Sequence, residues 1–180
     1  MKGSFNACIL IIALSFFTYT NSQNHGIEST GDFLQLALPI TALTSNLVFK
    51  EDTNYLWQDL KAFSASIVLT HTFKTLIDKE RPNGATDGHA FPSGHTSCAF
   101  AGAAIIHKRF GWKIGVPAYL LASYVGWSRI NANRHDLWDV LGGSIVGIGS
   151  IFLFSKDKNK IQLKFSRIYN YNTIGIAMRF

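Results

Sequence analysis

Cysteine is nearly absent from this chain: of its 180 residues, only Cys8 and Cys98 carry a thiol. Cys8 lies in what reads as an export segment, so a mature monomer keeps Cys98 alone and has no internal disulfide. Cys98 reads as a small buried residue on a helix. Charge is scarce too. Charged residues make up 16% of the sequence, against roughly 25% in an ordinary soluble domain, while apolar residues reach 47%. That shortage points toward a bilayer. The charges present are biased, with 17 basic residues against 11 acidic ones and a net charge of +6, which suits an anionic substrate or an anionic lipid surface. No basic stripe is interleaved with stacking aromatics, so nucleic acid is not expected as a partner. No group of His, Cys and carboxylates has metal-ligand spacing, and neither a metal nor a cofactor is expected. Repeats and low-complexity tracts are also missing, and the length fits one domain.

Residues 1–23 read as a signal peptide. Lys2 supplies the positive n-region, Ala7 to Phe17 the apolar h-region, and Thr18 to Gln23 a polar stretch for cleavage. The apolar run is short for a membrane span, and the chain is expected to be exported. Five apolar segments of helical period follow within a core of residues 32–155. They cover about 32–49 (with Pro39 as a kink), 59–78, 93–107, 112–130 and 135–154. The Lys79–Pro92 connection, rich in Gly, Pro, Asn and Asp, is long enough to be expected to serve function. Gly143 and Gly147 stand four apart, a spacing that lets two helix backbones approach closely.

Over residues 156–180 the period changes. Ile161, Leu163 and Phe165 alternate with polar residues, and so do Ile174, Ile176, Met178 and Phe180 after a Tyr-Asn turn. That predicts a short β-hairpin, which should dock on the bundle or on a membrane. The expected class is therefore all-α: a bundle of about five core helices after a signal peptide, with a short C-terminal β-hairpin. A start outside the cytoplasm would bring the 79–92 and 130–134 connections to the outer side. Lys108, Arg109, Lys113, Lys156, Lys158 and Lys160 would then lie inside, as the positive-inside bias asks. Lys61 and His71 interrupt the second helix, and Gln35 and Thr41 the first, so a soluble periplasmic bundle stands as the alternative.

Three short stretches concentrate the chemistry. Lys74 and Arg81 lie seven apart, on one face if the helix is continuous, with Pro82 ending it. A guanidinium can grip two phosphate oxygens, while a lysine acts as a point charge. Taken alone, the stretch equally suits a solvated helix end, with Lys79 and Arg81 meeting Asp78 and Glu80. The second stretch is Pro92-Ser93-Gly94-His95. Ser93 suits an N-cap, Gly94 admits an anion close to the backbone, and free N–H groups at a helix start form a phosphate cradle. The third is Ser128-Arg129 followed by His135 and Asp139. Four apart, the last two are expected to project from one helix face. The carboxylate then takes the imidazole Nδ1–H and leaves Nε2 as a nucleophile. His71 is expected to be structural, whereas Asp87, His89 and Arg134 sit near the site.

Together these stretches resemble the type 2 phosphatidic acid phosphatase superfamily, which also holds class A acid phosphatases and vanadium haloperoxidases. That pattern, K-x6-RP, PSGH and SR-x5-H-x3-D, is met at every position from Lys74 to Asp139. The resemblance implies that Lys74, Arg81 and Arg129, with Ser93 and the Gly94 N–H, hold the phosphoryl oxygens. It implies further that His135 attacks phosphorus, His95 protonates the leaving alkoxide, and Asp139 orients His135. The implied activity is hydrolysis of a phosphate monoester or pyrophosphate, most simply of a lipid, without a metal, by a membrane protein whose site faces the periplasm or exterior. Two alternatives remain on sequence grounds: a soluble nonspecific acid phosphatase and a vanadate-dependent haloperoxidase.

Overall fold

The computed structural model describes residues 23–48, 53–82, 84, 89–155, 161–168 and 171–178. The n- and h-regions of the export segment, Asp87, Lys156, Lys158 and Lys160 lie outside the described residues. Five helices form the body: α1 (Gln23–Val48), α2 (Thr53–Ile77), α3 (Gly94–Phe110), α4 (Trp112–Asn131) and α5 (Leu137–Phe154). The expected all-α core is present. Beyond it, the backbone of β1 (Ile161–Ile168) pairs antiparallel with β2 (Tyr171–Met178), Ile161 opposite Met178.

The middle of the bundle is α3, which touches each of the other four helices. Its composition explains this. Ala99, Ala101, Ala103 and Ala104 are fully buried, and such small residues let neighbours come close on several sides. On α5, a Cβ added to Gly143 would lie 2.5 Å from the Ser93 carbonyl oxygen, and one on Gly147 would lie 2.4 Å from that of Ser97. The expected close approach at this glycine pair therefore occurs, and α3 is what approaches. Between α2 and α3 the contact is polar: Ser97 Oγ lies 3.0 Å from Ser66 Oγ and 2.8 Å from Thr70 Oγ1. Pairing the hydroxyls with one another removes the cost of burying them. Helix α1 runs unbroken through Pro39.

Several boundaries differ from expectation. Helix α1 begins at Gln23 rather than near Asp32, and α2 at Thr53 rather than near Asp59, whereas α2 stops at Ile77 and α5 starts only at Leu137. The early start of α1 includes Gly26, Ser29, Thr30 and Gly31, all weak helix formers. Tertiary packing overrides that weakness: Gly31 lies so close to Ser128 that an added Cβ would overlap its hydroxyl, 2.1 Å away.

The two ends of the bundle are chemically distinct. One gathers the start of α1, the end of α2, the start of α3, the end of α4 and the approach to α5. At the other end Arg109 Nε donates 2.9 Å to Asp59 Oδ2, Ser155 Oγ donates 2.7 Å to Asp59 Oδ1, and the guanidinium covers the Tyr55 ring at 4.5 Å. Arg109, one of the residues expected on the inner side, is buried at this end in an ion pair.

Candidate active site

At the first end a cavity of about 420 Å³ is lined by Lys74, Arg81, Gly94, His95, Arg129 and His135, joined by Glu28, Asp32 and Arg134. Six of the eight residues expected in the site thus meet in one space. The other two, Ser93 and Asp139, lie directly behind it and are fully buried.

Local backbone geometry explains the convergence. After α2, Asp78 takes a left-handed conformation (φ 46°) and its N–H closes on the Lys74 carbonyl at 3.1 Å. Lys74 and Arg81 are therefore not on one continuous helix; a turn brings both to the cavity. The connection then returns on itself, with Ala90 N–H donating 2.8 Å to the Lys79 carbonyl. The Lys74 ammonium donates to the His89 carbonyl, so His89 meets the site through its backbone. At the end of α4, Asn133 is also left-handed (φ 52°), and the N–H groups of Arg134 and His135 fold back on the Arg129 carbonyl at 3.0 and 3.4 Å. That turn is why Arg129 and His135 are neighbours. Finally, Ser93 N–H donates 2.8 Å to the Asp139 carbonyl, which ties the start of α3 to the first turn of α5.

Asp136 is the N-cap of α5: its side chain accepts the Asp139 N–H at 2.9 Å, while Asp139 Oδ2 accepts the Asp136 N–H at 3.0 Å. His135 precedes this capping box, so it does not share a helix face with Asp139 as expected. The box itself aims the carboxylate, and His135 Nδ1 stands 3.4 Å from Asp139 Oδ2. With Nδ1 so engaged, Nε2 is the ring nitrogen left for chemistry. Burial, and then the Lys74 charge, hold this imidazole below the ordinary histidine range, with Asp139 partly offsetting them. These influences favour the neutral imidazole, in which one ring nitrogen keeps a free lone pair.

Ser93 departs from expectation. It stands at the N-cap of α3, but its side chain caps no backbone N–H; its oxygen accepts from Thr96 Oγ1 at 3.0 Å. On the far wall His95 Nε2 lies 3.1 Å from Asp32 Oδ1, and Arg129 Nη1 lies 2.9 Å from the same oxygen. Arg129 is buried, and its Nη2 donates 2.9 Å to the Glu28 carbonyl. Arg134 Nε reaches the Glu28 carboxylate at 3.3 Å.

Glu28, Asp32 and Lys79 were missed in the sequence. Glu28 and Asp32 did carry a signal, being two of only 11 acidic residues and spaced to share a helix face. Lys79 carried none beyond its place inside the Lys74–Arg81 spacer. Its ammonium spans to Asp136 Oδ2 and, at 2.7 Å, to Asp139 Oδ1.

The sequence pattern of the PAP2 superfamily matches residues 55–162. The chain belongs to that superfamily. The lipid A 1-phosphatase of Porphyromonas gingivalis is 46% identical over 166 residues, 82% of this PAP2 chain but 37% of that protein. The lipid A 4'-phosphatase of Helicobacter pylori is 27% identical over 169 residues, 86% of this chain and 82% of that one. This chain therefore spans little more than a third of the first relative and about four fifths of the second. Among solved structures, Aquifex aeolicus LpxE superposes with a TM-score of 0.63 at 20% identity, covering 81% of this chain and 92% of that one. A transmembrane PAP2-type phosphatidylglycerolphosphate phosphatase from Bacillus subtilis gives 0.62 at 22%, covering 84% and 85%. At those identities the likeness concerns the fold.

Proposed function

We propose that this PAP2 chain is a lipid phosphate phosphatase that works through a phosphohistidine at His135. The observation that carries the reading is the single cavity in which Lys74, Arg81 and Arg129 face an imidazole already oriented by a buried carboxylate. Fixed cations suit the charge spread over a transferring phosphoryl group, and such transfer depends chiefly on positioning and electrostatics. In the first step His135 Nε2 forms a bond to phosphorus as the bond to the ester oxygen breaks, and His95 gives that oxygen a proton. In the second, water attacks phosphorus, the P–N bond breaks, and His95 takes up the water's proton. Lys74, Arg81, Arg129 and the Gly94 N–H hold the phosphoryl oxygens. Because Thr96 donates to the Ser93 oxygen, Ser93 keeps its own proton for the same task.

A lipid is favoured as the substrate over a soluble ester. Leu120, Ile145 and Leu153 are 67%, 70% and 78% exposed on the outside of the bundle, in company with Leu36, Ile40 and Val68. Water is a poor solvent for such a surface, and acyl chains are a good one. Among the described residues α5 alone is long and apolar enough to cross a bilayer, with a mean hydropathy of 1.7. Helices α1 and α2, at ~39 and ~38 Å, exceed the ~30 Å of a hydrocarbon core. The lipid A phosphatases among the relatives make a phosphorylated glucosamine lipid the first substrate to try. In this reading the bundle sits in the membrane with the cavity toward the periplasm or exterior, after removal of residues 1–23 as a signal peptide, and β1 and β2 form an appended β-hairpin.

The test is phosphate release from bis-phosphorylated lipid A, phosphatidate, phosphatidylglycerophosphate, a polyprenyl pyrophosphate and p-nitrophenyl phosphate, in detergent, with and without chelator. Release should favour a lipid substrate and be unaffected by chelator. It should vanish in His135→Ala, and acid-labile labelled phosphate should be trapped on the wild type alone. Undiminished release by His135→Ala would overturn the mechanism. A preference for p-nitrophenyl phosphate, with extraction in buffer alone, would favour a soluble acid phosphatase.

A further inference from the structure

We propose that Lys79, which lines no part of the cavity, is a positioning residue for the nucleophile. Through Asp139 it supplies the resident countercharge that fixes the His135–Asp139 pair. The inference rests on the phosphohistidine reading above.

Asp139 is fully buried, and both of its oxygens are engaged: Oδ2 by the Asp136 N–H and His135 Nδ1, Oδ1 by Lys79 Nζ at 2.7 Å. A buried carboxylate needs a cation beside it or it takes up a proton. His135 cannot be that cation at rest, since its imidazole is held neutral. The ammonium in contact with Asp139 is Lys79. Desolvation works against the Lys79 charge, but hydrogen bonds to Asp136 and Asp139 outweigh it and raise its pKa. Its backbone is pinned independently, with the carbonyl accepting from buried Ala90. The ammonium is thus held in place.

Lys79 also divides its charge between two carboxylates, the second being Asp136. This gives the proposal a signature that a purely structural staple lacks. Lys79→Met removes a positive charge behind Asp139, leaving the carboxylate more negative toward His135 and the imidazole more basic. Asp136→Asn keeps a side chain able to cap α5, removes a negative charge, and leaves Lys79 to Asp139 alone. It must make the imidazole less basic. The other charged or titratable groups around His135 are Lys74 and Arg81 from α2 and its turn, His95 from α3, Arg129 and Arg134 from the α4 turn, and Glu28 and Asp32 from α1. All are the same in both variants, so they cannot produce opposite displacements.

The experiment is the pH dependence of kcat and KM for the full-length protein in detergent, with phosphatidate in mixed micelles as the probe. The acid limb of kcat should move up in Lys79→Met and down in Asp136→Asn, each on the order of half a pH unit, the scale of a one-charge change under strong screening. In Lys79→Met kcat should fall about 10–100-fold from lost orientation, with KM within twofold because Lys79 touches no substrate. Lys79→Arg should restore most of the rate and the wild-type limb. If Lys79→Met fails to fold, the direction in Asp136→Asn decides the matter. An unmoved limb, displacement of both variants in one direction, or a raised KM at unchanged kcat would overturn the proposal. Inactive wild-type protein would instead count against the phosphatase reading itself.

Discussion

Asp32 occupies a place that a phosphoryl oxygen should want. Its Oδ1 lies 2.9 Å from Arg129 Nη1 and 3.1 Å from His95 Nε2, so an entering phosphate must displace it. Replacing Asp32 with Asn keeps the shape and removes the competing charge. Two opposite charges about 4 Å apart attract by roughly 4 kcal/mol near a protein surface. The Asp32 side chain is 48% exposed, and screening reduces that to about 1 kcal/mol. Divided by 1.4 kcal/mol per factor of ten, the change corresponds to about fivefold in binding. Inorganic phosphate, assayed as a competitive inhibitor of lipid phosphate hydrolysis, should therefore bind Asp32→Asn about fivefold more tightly than wild type. Vanadate should shift in the same direction. An unchanged or weakened inhibition constant would refute the reasoning, because it would mean the carboxylate and the phosphoryl group do not compete for Arg129.

Other consequences can be checked directly. As the proposed nucleophile His135 must be neutral, and burial with the Lys74 charge lowers its pKa below the ordinary 6.5; the rate should then be retained as pH falls through 6.5 and be lost only lower. An acid limb of kcat/KM at or above 6.5 would contradict that. Breaking the Asp59–Arg109 pair by Asp59→Leu or Arg109→Met should cost about 3–5 kcal/mol, since each leaves a buried charge alone. Thermal melting in detergent should show the loss and its recovery in the double variant, with activity of the folded protein within twofold. Gly147→Leu, whose Cβ would start 2.4 Å from the Ser97 carbonyl, should melt lower by the equivalent of about 1–3 kcal/mol of overpacking. Gly149→Leu, with nothing within 4 Å of the added Cβ, is the control.

What the sequence disclosed depended on how local the cause was. The five helices were legible because hydrophobic period is a property of neighbouring residues, and the Gly143–Gly147 contact because small residues at helical spacing have few other uses. The site's members were legible from three short stretches, but the geometry joining them was not. Spacing allowed Lys74 and Arg81 one face only if the helix ran on to Arg81, and suggested a shared helix face for His135 and Asp139. The chain instead uses left-handed residues at Asp78 and Asn133 and a capping box at Asp136. Asp and Asn tolerate that conformation, yet each also sits in ordinary loops, so neither gives a sharp signal. Lys79, Glu28 and Asp32 were hidden for another reason. Their partners lie 57 to 106 residues away in the chain, and nothing in a one-dimensional pattern tells which distant charge a lysine or glutamate will meet.

The charges also explain how so basic a pocket can exist in a largely apolar bundle. Lys74, Arg81, Arg129 and Arg134 in the cavity, with Lys79 behind it, would repel one another if left to themselves. Glu28, Asp32, Asp136 and Asp139 stand among them, so the protein's own charges there nearly balance. These carboxylates fall into two groups by burial and bonding. Asp139, with no exposed surface and both oxygens engaged, cannot be exchanged for a ligand without dismantling the start of α5. Asp32 and Glu28 face the cavity from α1, and Asp32 is about half exposed. A phosphate dianion can replace the Asp32 contact at Arg129 without disturbing the Lys79–Asp139–His135 chain behind the nucleophile. In the proposed mechanism substrate entry is thus an exchange of one anion for another at the outer wall, while the inner pair that would aim the attacking nitrogen keeps its geometry throughout.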